Sequence, residues 1–216
     1  MTDKYHGELL ALKKSVTEFS CFSTGMLTDA LVALRDLDTV LADTVNERKK
    51  RLAGWSNEIE EQSLRLVALY QPMGEDLRTI ACINQMNSSL FRIGRYGKDI
   101  AIIVEELSDT THLKNLKSVW HMADLVEDMI RDVLQSFDTW DLTAIEDLSL
   151  RDSSVDNLRY SIFRENVTYM MEDPKNITRC IDYVMVSRYL ERCGDHACMM
   201  GEKVIFMVTG KRVEIK

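Results

Sequence analysis

Two prolines and nine glycines in 216 residues are too few to punctuate a chain of short strands and turns. Their scarcity leaves long helices as the natural outcome, because helix breakers are nearly absent. The five cysteines, Cys21, Cys82, Cys180, Cys193 and Cys198, are odd in number and form no C-x-x-C, which argues against a disulfide framework or a zinc ribbon. Reduced thiols in a cytoplasmic protein are the expectation. No apolar run approaches membrane-spanning length, and the start Met1-Thr2-Asp3-Lys4-Tyr5-His6 lacks a signal-peptide core. Basic excess is missing as well. With 27 Lys and Arg against 35 Asp and Glu, net charge is −8 and neither half is basic, so direct nucleic-acid binding is disfavoured. No phosphate-cradling glycine loop or G-x-S-x-G occurs, and no glutamate has a histidine three residues later, as a ferritin-like di-iron site requires. Catalytic machinery is therefore not expected.

What is present is helical periodicity. Leu9, Leu12, Val16, Phe19, Ser23, Met26, Ala30, Ala33 and Leu37 step by three and four, the stripe of one long amphipathic helix. Asp38 is suited to cap a second helix carrying Leu41, Val45, Leu52, Trp55, Ile59, Leu66 and Leu69, which Gln71-Pro72 ends. A third runs from Gly74 to Leu107. The pattern then restarts: Leu113 to Phe137, a break at Asp138 to Asp141 with Asp141 as cap, Leu142 to Met171, and Lys175 to Val208 before Gly210. Helices of thirty residues would be about 45 Å long. No strand-period segment is found.

The second three helices repeat the first. Ile83, Met86, Leu90, Ile93, Gly97, Ile100 and Val104 match Tyr183, Val186, Leu190, Cys193, Ala197, Met200 and Val204. Self-similarity at a fixed offset argues for an all-α tandem repeat of two antiparallel three-helix bundles, residues 1–108 and 109–216, joined by a short junction.

The copies differ in their acids. Glu191 and Asp195 stand i, i+4 on the last helix, and Asp152 and Asp156 have the same spacing on the helix before it. Such pairs are common solvated faces in an acidic chain. Converging at a partly buried groove, however, four carboxylates would need cations to neutralise them, and hard oxygen ligands suit Mg, Mn, Ca or ferric iron. In the first copy, Lys49 and Ala53, Phe91 and Arg95 take those places. The run Arg48-Lys49-Lys50-Arg51 puts positive charge where a cation would sit. Lys49 and Arg95 are candidates to pair with nearby acids and keep that bundle closed without metal. Cys193 falls on the apolar seam and reads as a core thiol, while His196 reads as surface or as an outer hydrogen-bond partner of the acids. His121 with Asp124 and Asp128 forms a weaker polar strip. The twelve methionines read first as core filler.

Ile162-Phe163-Arg164-Glu165, Tyr169-Met170-Met171-Glu172-Asp173-Pro174, Leu190 to Ala197 and Val208-Thr209-Gly210-Lys211 closely resemble the PhoU family of phosphate-uptake regulators. Leu69-Tyr70-Gln71-Pro72 with Asp76-Leu77-Arg78 is similar to that family's turn between helices. The resemblance covers nearly the whole chain. It implies two three-helix bundles whose paired acid motifs bind a metal ion or small multinuclear cluster of iron or zinc type. Carried over, the ligands are Asp152, Asp156, Glu191 and Asp195, with Glu202 as a lesser candidate opposite Ile102, in the second repeat only. The implied role is to couple phosphate supply to a Pst-type transporter ATPase, and in some lineages to a sensor histidine kinase. The protein would be peripheral to a membrane complex and a homodimer or higher oligomer. The alternatives are an accessory protein of a Pit-type phosphate carrier, or a metal-dependent enzyme or metal store using the same carboxylates.

Overall fold

The computed structural model describes residues 2–109, 111–112 and 117–215. Seven α-helices succeed one another among the described residues: α1 (Thr2–Asp36), α2 (Thr39–Glu47), α3 (Lys49–Tyr70), α4 (Glu75–Leu107), α5 (Lys117–Thr139), α6 (Leu148–Glu172) and α7 (Ile177–Thr209). No strand occurs among the described residues. The expected all-α pair of bundles is present: α1 with α2–α3 and α4, then α5 with α6 and α7. The apolar stripe of α1 lies inward, with Leu12, Val16, Phe19, Met26, Ala30 and Ala33 almost wholly removed from water. Leu113, expected to open the fourth long helix, lies outside the described residues.

The two bundles end their first helix identically. Leu37 and Trp140 adopt left-handed φ of 53° and 64°, a conformation costing a non-glycine residue on the order of 1 kcal/mol. The following aspartate accepts a backbone N–H in each: Leu41 N to Asp38 at 3.0 Å, and Thr143 N to Asp141 at 3.0 Å. Asp38 caps α2 as expected. Asp141 instead stabilises a 3₁₀ turn, Thr143–Ile145, and α6 begins only at Leu148, later than the apolar pattern suggested. A second 3₁₀ turn, Pro174–Asn176, likewise delays α7 to Ile177, because Asp173 accepts from Lys175 N and tightens the turn.

The expected second helix is also interrupted. At Arg48 the N–H bonds Val45 O (3.2 Å) three residues back, which separates α2 from α3 without changing the backbone region. The Arg48 guanidinium meets Asp29 of α1 at 2.6 Å. In the second repeat Arg151 meets Asp132 of α5 at 2.7 Å. Both pairs are separated by nineteen residues and occupy equivalent places. This ion pair fixes the turn from which the next residue, Lys49 or Asp152, projects.

α4 and α7 lie side by side and antiparallel. Arg78 Nε reaches Met207 O (3.4 Å), Ser89 Oγ meets His196 Nδ1 (3.3 Å), and Tyr96 stacks on Tyr189 with centroids 5.7 Å apart. The numbers in each pair add to the same total. Tyr96 is the repeat-mate of His196, and Ser89 that of Tyr189, so those two contacts are one contact related by a pseudo-two-fold axis. α1 packs on α4 closely at Gly97, where a β-carbon would stand 2.7 Å from the Met26 carbonyl. The obstruction is backbone and cannot rotate away. Gly97→Ala should therefore destabilise the fold by about 2–3 kcal/mol in chemical denaturation, whereas Gly25→Ala, with open space around it, should not destabilise it.

At the far end of the seam, His112 bridges the Tyr183 hydroxyl (2.6 Å) and the Arg35 carbonyl (2.9 Å). Beside it Asp182 is 7% exposed, and its Oδ2 has no hydrogen-bond partner. Glu106, Asp109, Lys175 and Arg179 line the same hollow. Burial first, and Glu106 second, push the Asp182 carboxyl up to about 6. The folded state thus retains a proton that the unfolded chain releases near pH 4. Stability from this group is full below pH 4 and is lost as pH rises through 6. Asp182→Asn should raise stability at pH 7.5 by on the order of 1–2 kcal/mol and leave it unchanged at pH 4, as read by urea unfolding.

Candidate functional site: a carboxylate face on the second repeat

Arg151, held by Asp132, Asp147 and the Ala144 carbonyl, sets the first turn of α6. Asp152 and Asp156 follow on one face, and Glu191 and Asp195 stand one turn apart on α7. Gly194 lies at the contact between the two helices. A β-carbon there would touch Asp152 Oδ1 and Val155 Cγ1, both at 3.6 Å. Around this contact the Asp152 carboxylate faces the charges of Asp156, Glu191 and Asp195. Asp152 is half-buried and Asp156 exposed. The Asp152 carboxyl is raised, by burial first and then by the charges of Asp195, Asp156 and Glu191, while a hydrogen bond from the buried Cys198 thiol opposes the shift. Burial and this carboxylate push the Cys198 thiol well above its ordinary range, so it is a hydrogen-bond donor rather than a thiolate.

Two arginines that sequence reasoning passed over share the site. Arg159 Nε lies 3.4 Å from Glu191 Oε1, and Arg192 approaches Asp195 Oδ2 at 3.0 Å and Glu191 Oε2 at 3.9 Å. Their positions, i+3 from Asp156 and i−3 from Asp195, were readable as helical neighbours. Glu202 is engaged elsewhere: its Oε1 accepts Ile215 N at 2.9 Å and fastens the C-terminal segment. The donor set suits a hard cation in chemistry and in mutual repulsion. In the geometry described, however, no three His, Cys, Asp or Glu side chains among the described residues stand close enough to hold one. Arginine charge offsets the carboxylates instead.

The first repeat has the same scaffold with other chemistry. Lys49 is exposed, and neither it nor Arg95 makes an ion pair among the described residues. The expected pairing with nearby acids is therefore corrected. Arg95 leans into the helix interface with its Nε buried and without an acceptor. The basic run is used in other ways: Arg48 binds Asp29, and Arg51 lies over the Phe22 and Trp55 rings at 5.1 and 5.3 Å. Leu52 packs where Gly94 offers room, as Val155 does at Gly194.

Cys193 is a fully buried core thiol, as expected. His196 belongs to the α4–α7 seam rather than to the surface: it bonds Ser89 and lies against Tyr96, and burial pushes its pKa down. His121 is exposed, and Asp128 of the same strip pairs with Arg131. Met200 and Met207 are core, but Met73 and Met171 project at the two hairpin ends.

Comparison with known proteins agrees with this architecture. The PhoU domain family model matches residues 16–104 and again 119–204. A phosphate-specific transport system accessory protein PhoU homolog of Caulobacter vibrioides is 36% identical over 216 residues, covering 98% of this chain and 93% of its own. The Clostridium acetobutylicum homolog of the same description is 30% identical over 100% of this chain and 99% of its own. The crystal structure of PhoU from Pseudomonas aeruginosa superposes with a TM-score of 0.84 at 31% identity, covering 97% of this chain and 98% of that one. The regulatory protein PhoU from Streptococcus pneumoniae, at 24% identity and a TM-score of 0.88, shares the fold. With two matched domains spanning most of its length, the chain belongs to the PhoU family.

Proposed function

We propose that this protein is an accessory regulator of a phosphate-specific transport system, acting in the cytoplasm on the transporter's ATPase and, where one is present, a sensor histidine kinase. Its nearly full-length relatives carry the description of accessory proteins of such a system. No helix among the described residues is long and apolar enough to cross a membrane, so contact with a transporter would be peripheral. Co-purification with the ATPase encoded beside it, and altered phosphate accumulation on its deletion, are the expected outcomes. Absence of both would refute the assignment.

The second repeat, in this reading, holds a metal ion or small cluster at Asp152, Asp156, Glu191 and Asp195. What supports it is that Asp152 feels the charges of Asp156, Glu191 and Asp195 across α6 and α7, against a first repeat with Lys49, Ala53, Phe91 and Arg95. Loading requires Arg159 and Arg192 to turn outward, since they occupy part of the donor set. A bound cation would replace their charge and draw the four carboxylates onto one centre. Iron or zinc analysis of protein purified without chelator should show loading that disappears in Asp156→Ala/Glu191→Ala and survives Lys49→Ala/Arg95→Ala. Loading indifferent to the acidic double substitution would defeat the site. Glu202→Ala, tied to Ile215, should leave loading unchanged and loosen the C-terminal segment.

Assembly as a homodimer is part of the same proposal. Leu69, Met73 and Leu77 at one hairpin end, and Met171, Ile177 and Ile181 at the other, leave apolar surface uncovered in the single chain. Sedimentation should give about twice the 24.9 kDa chain mass at tens of micromolar. A single species of chain mass would rule the dimer out.

A further inference from the structure

The two repeats differ not only in their acids but in what fills the groove beside them. In the second repeat that groove holds the chain's own arginine. Arg159 projects from α6, with its guanidinium 3.4 Å from Glu191 of α7 and 4.6 Å above the Tyr160 ring. An acid supplies charge and a ring supplies a face, the two partners a guanidinium combines best.

In the first repeat the position equivalent to Arg159 is Ser56, whose side chain is too short to enter. The groove between α3 and α4 is correspondingly open, with a volume of about 520 Å³. An acid and a ring line it too, at other places, while Asn57 replaces Tyr160, the ring that Arg159 covers. Glu60 stands on α3 where the second repeat has Phe163, and Phe91 stands on α4 where it has Glu191. Glu60 is exposed and in no ion pair among the described residues.

The floor adds acceptors without donors. Asn87 is 4% exposed and gives its Nδ2 to the Ser56 carbonyl at 2.9 Å, which fixes its Oδ1 as the free end. That Oδ1 is buried with no hydrogen-bond partner, and so is the Oδ1 of neighbouring Asn84. Leaving two buried acceptors unpaired is costly, and a ligand rich in N–H groups would relieve the cost. Metal is excluded by the same inventory, since Glu60 is the groove's one anionic side chain among the described residues.

We propose that the α3–α4 groove of the first repeat binds a guanidinium group presented by an arginine of a partner protein. The group sits between the Phe91 ring and the Glu60 carboxylate and donates to the amide oxygens of Asn84 and Asn87. Arg159 in the second repeat is the internal counterpart of that ligand. The groove is thus a recognition site on the repeat that has lost its carboxylate pairs, and it depends on neither metal nor phosphate. A lysine fits less well, because a point charge cannot lie flat on the ring while serving several acceptors.

The full chain, labelled with nitrogen-15, can be titrated with N-acetyl-arginine-N-methylamide and with the lysine analogue. Expected are saturable shifts of the Asn84 and Asn87 side-chain amides, with the arginine analogue binding about fivefold or more tighter than lysine. Ser56→Arg, which supplies the missing side chain from within, should abolish these shifts while leaving the circular dichroism spectrum unchanged. Glu60→Gln and Asn84→Leu, at more accessible positions, should each weaken binding by about three- to tenfold and provide the readout if Ser56→Arg perturbs folding. Non-saturable shifts, equal binding of the two analogues, or Glu60→Gln and Asn84→Leu variants that bind like the native chain would overturn the proposal.

Discussion

The antiparallel contact between α4 and α7 is the constraint on which the rest of the molecule depends. Each of these 33-residue helices belongs to its own bundle and also faces the other. Their apolar residues are consequently buried along nearly the whole length, and Gly97 of α4 admits the backbone of α1 at Met26. Because the contact obeys a pseudo-two-fold axis, a change in one repeat meets its own equivalent across the seam. Ser89 with His196 and Tyr96 with Tyr189 occupy the same geometrical contact with different chemistry. Such an interface holds both bundles in one register while leaving their outer helices, α2–α3 and α6, free to differ.

That freedom is where the two repeats diverge in chemistry. The outer helix of the second repeat carries Asp152 and Asp156 toward Glu191 and Asp195, at the expense of raising the Asp152 carboxyl. The outer helix of the first repeat carries none of them. Both start from the same arginine–aspartate pair, Arg48 with Asp29 and Arg151 with Asp132, so the scaffold positions are equivalent and only the side chains have changed. Charge follows this division. One face gathers carboxylates beside Arg159 and Arg192, and the other keeps an amide-lined groove with a single acid.

Most of the fold was legible because helical stripes and internal repetition are statements about spacing alone. The stripe from Ile83 to Val104 is buried as its counterpart from Tyr183 to Val204 is. The four acids were legible for the same reason, since i, i+4 spacing on packed helices leaves few arrangements. What escaped is what depends on side-chain reach between helices. The break at Arg48, where the N–H turns to Val45 O beside the ion pair with Asp29, is announced by no local propensity. His196 looked superficial until α4 was laid against it, and Arg95, expected to pair with an acid, instead points its Nε into a buried place. Glu202 shares the spacing of a ligand, yet the chain end takes its carboxylate.

The central claim is that two near-identical scaffolds have divided their chemistry, with cation binding confined to the second. An anomalous difference map from crystals of protein purified without chelator, recorded at the iron and zinc edges, tests it most directly. The account predicts a peak between α6 and α7, bounded by Asp152, Asp156, Glu191 and Asp195, and none between α3 and α4. Peaks of equal height in both repeats, or one confined to the first, would contradict it.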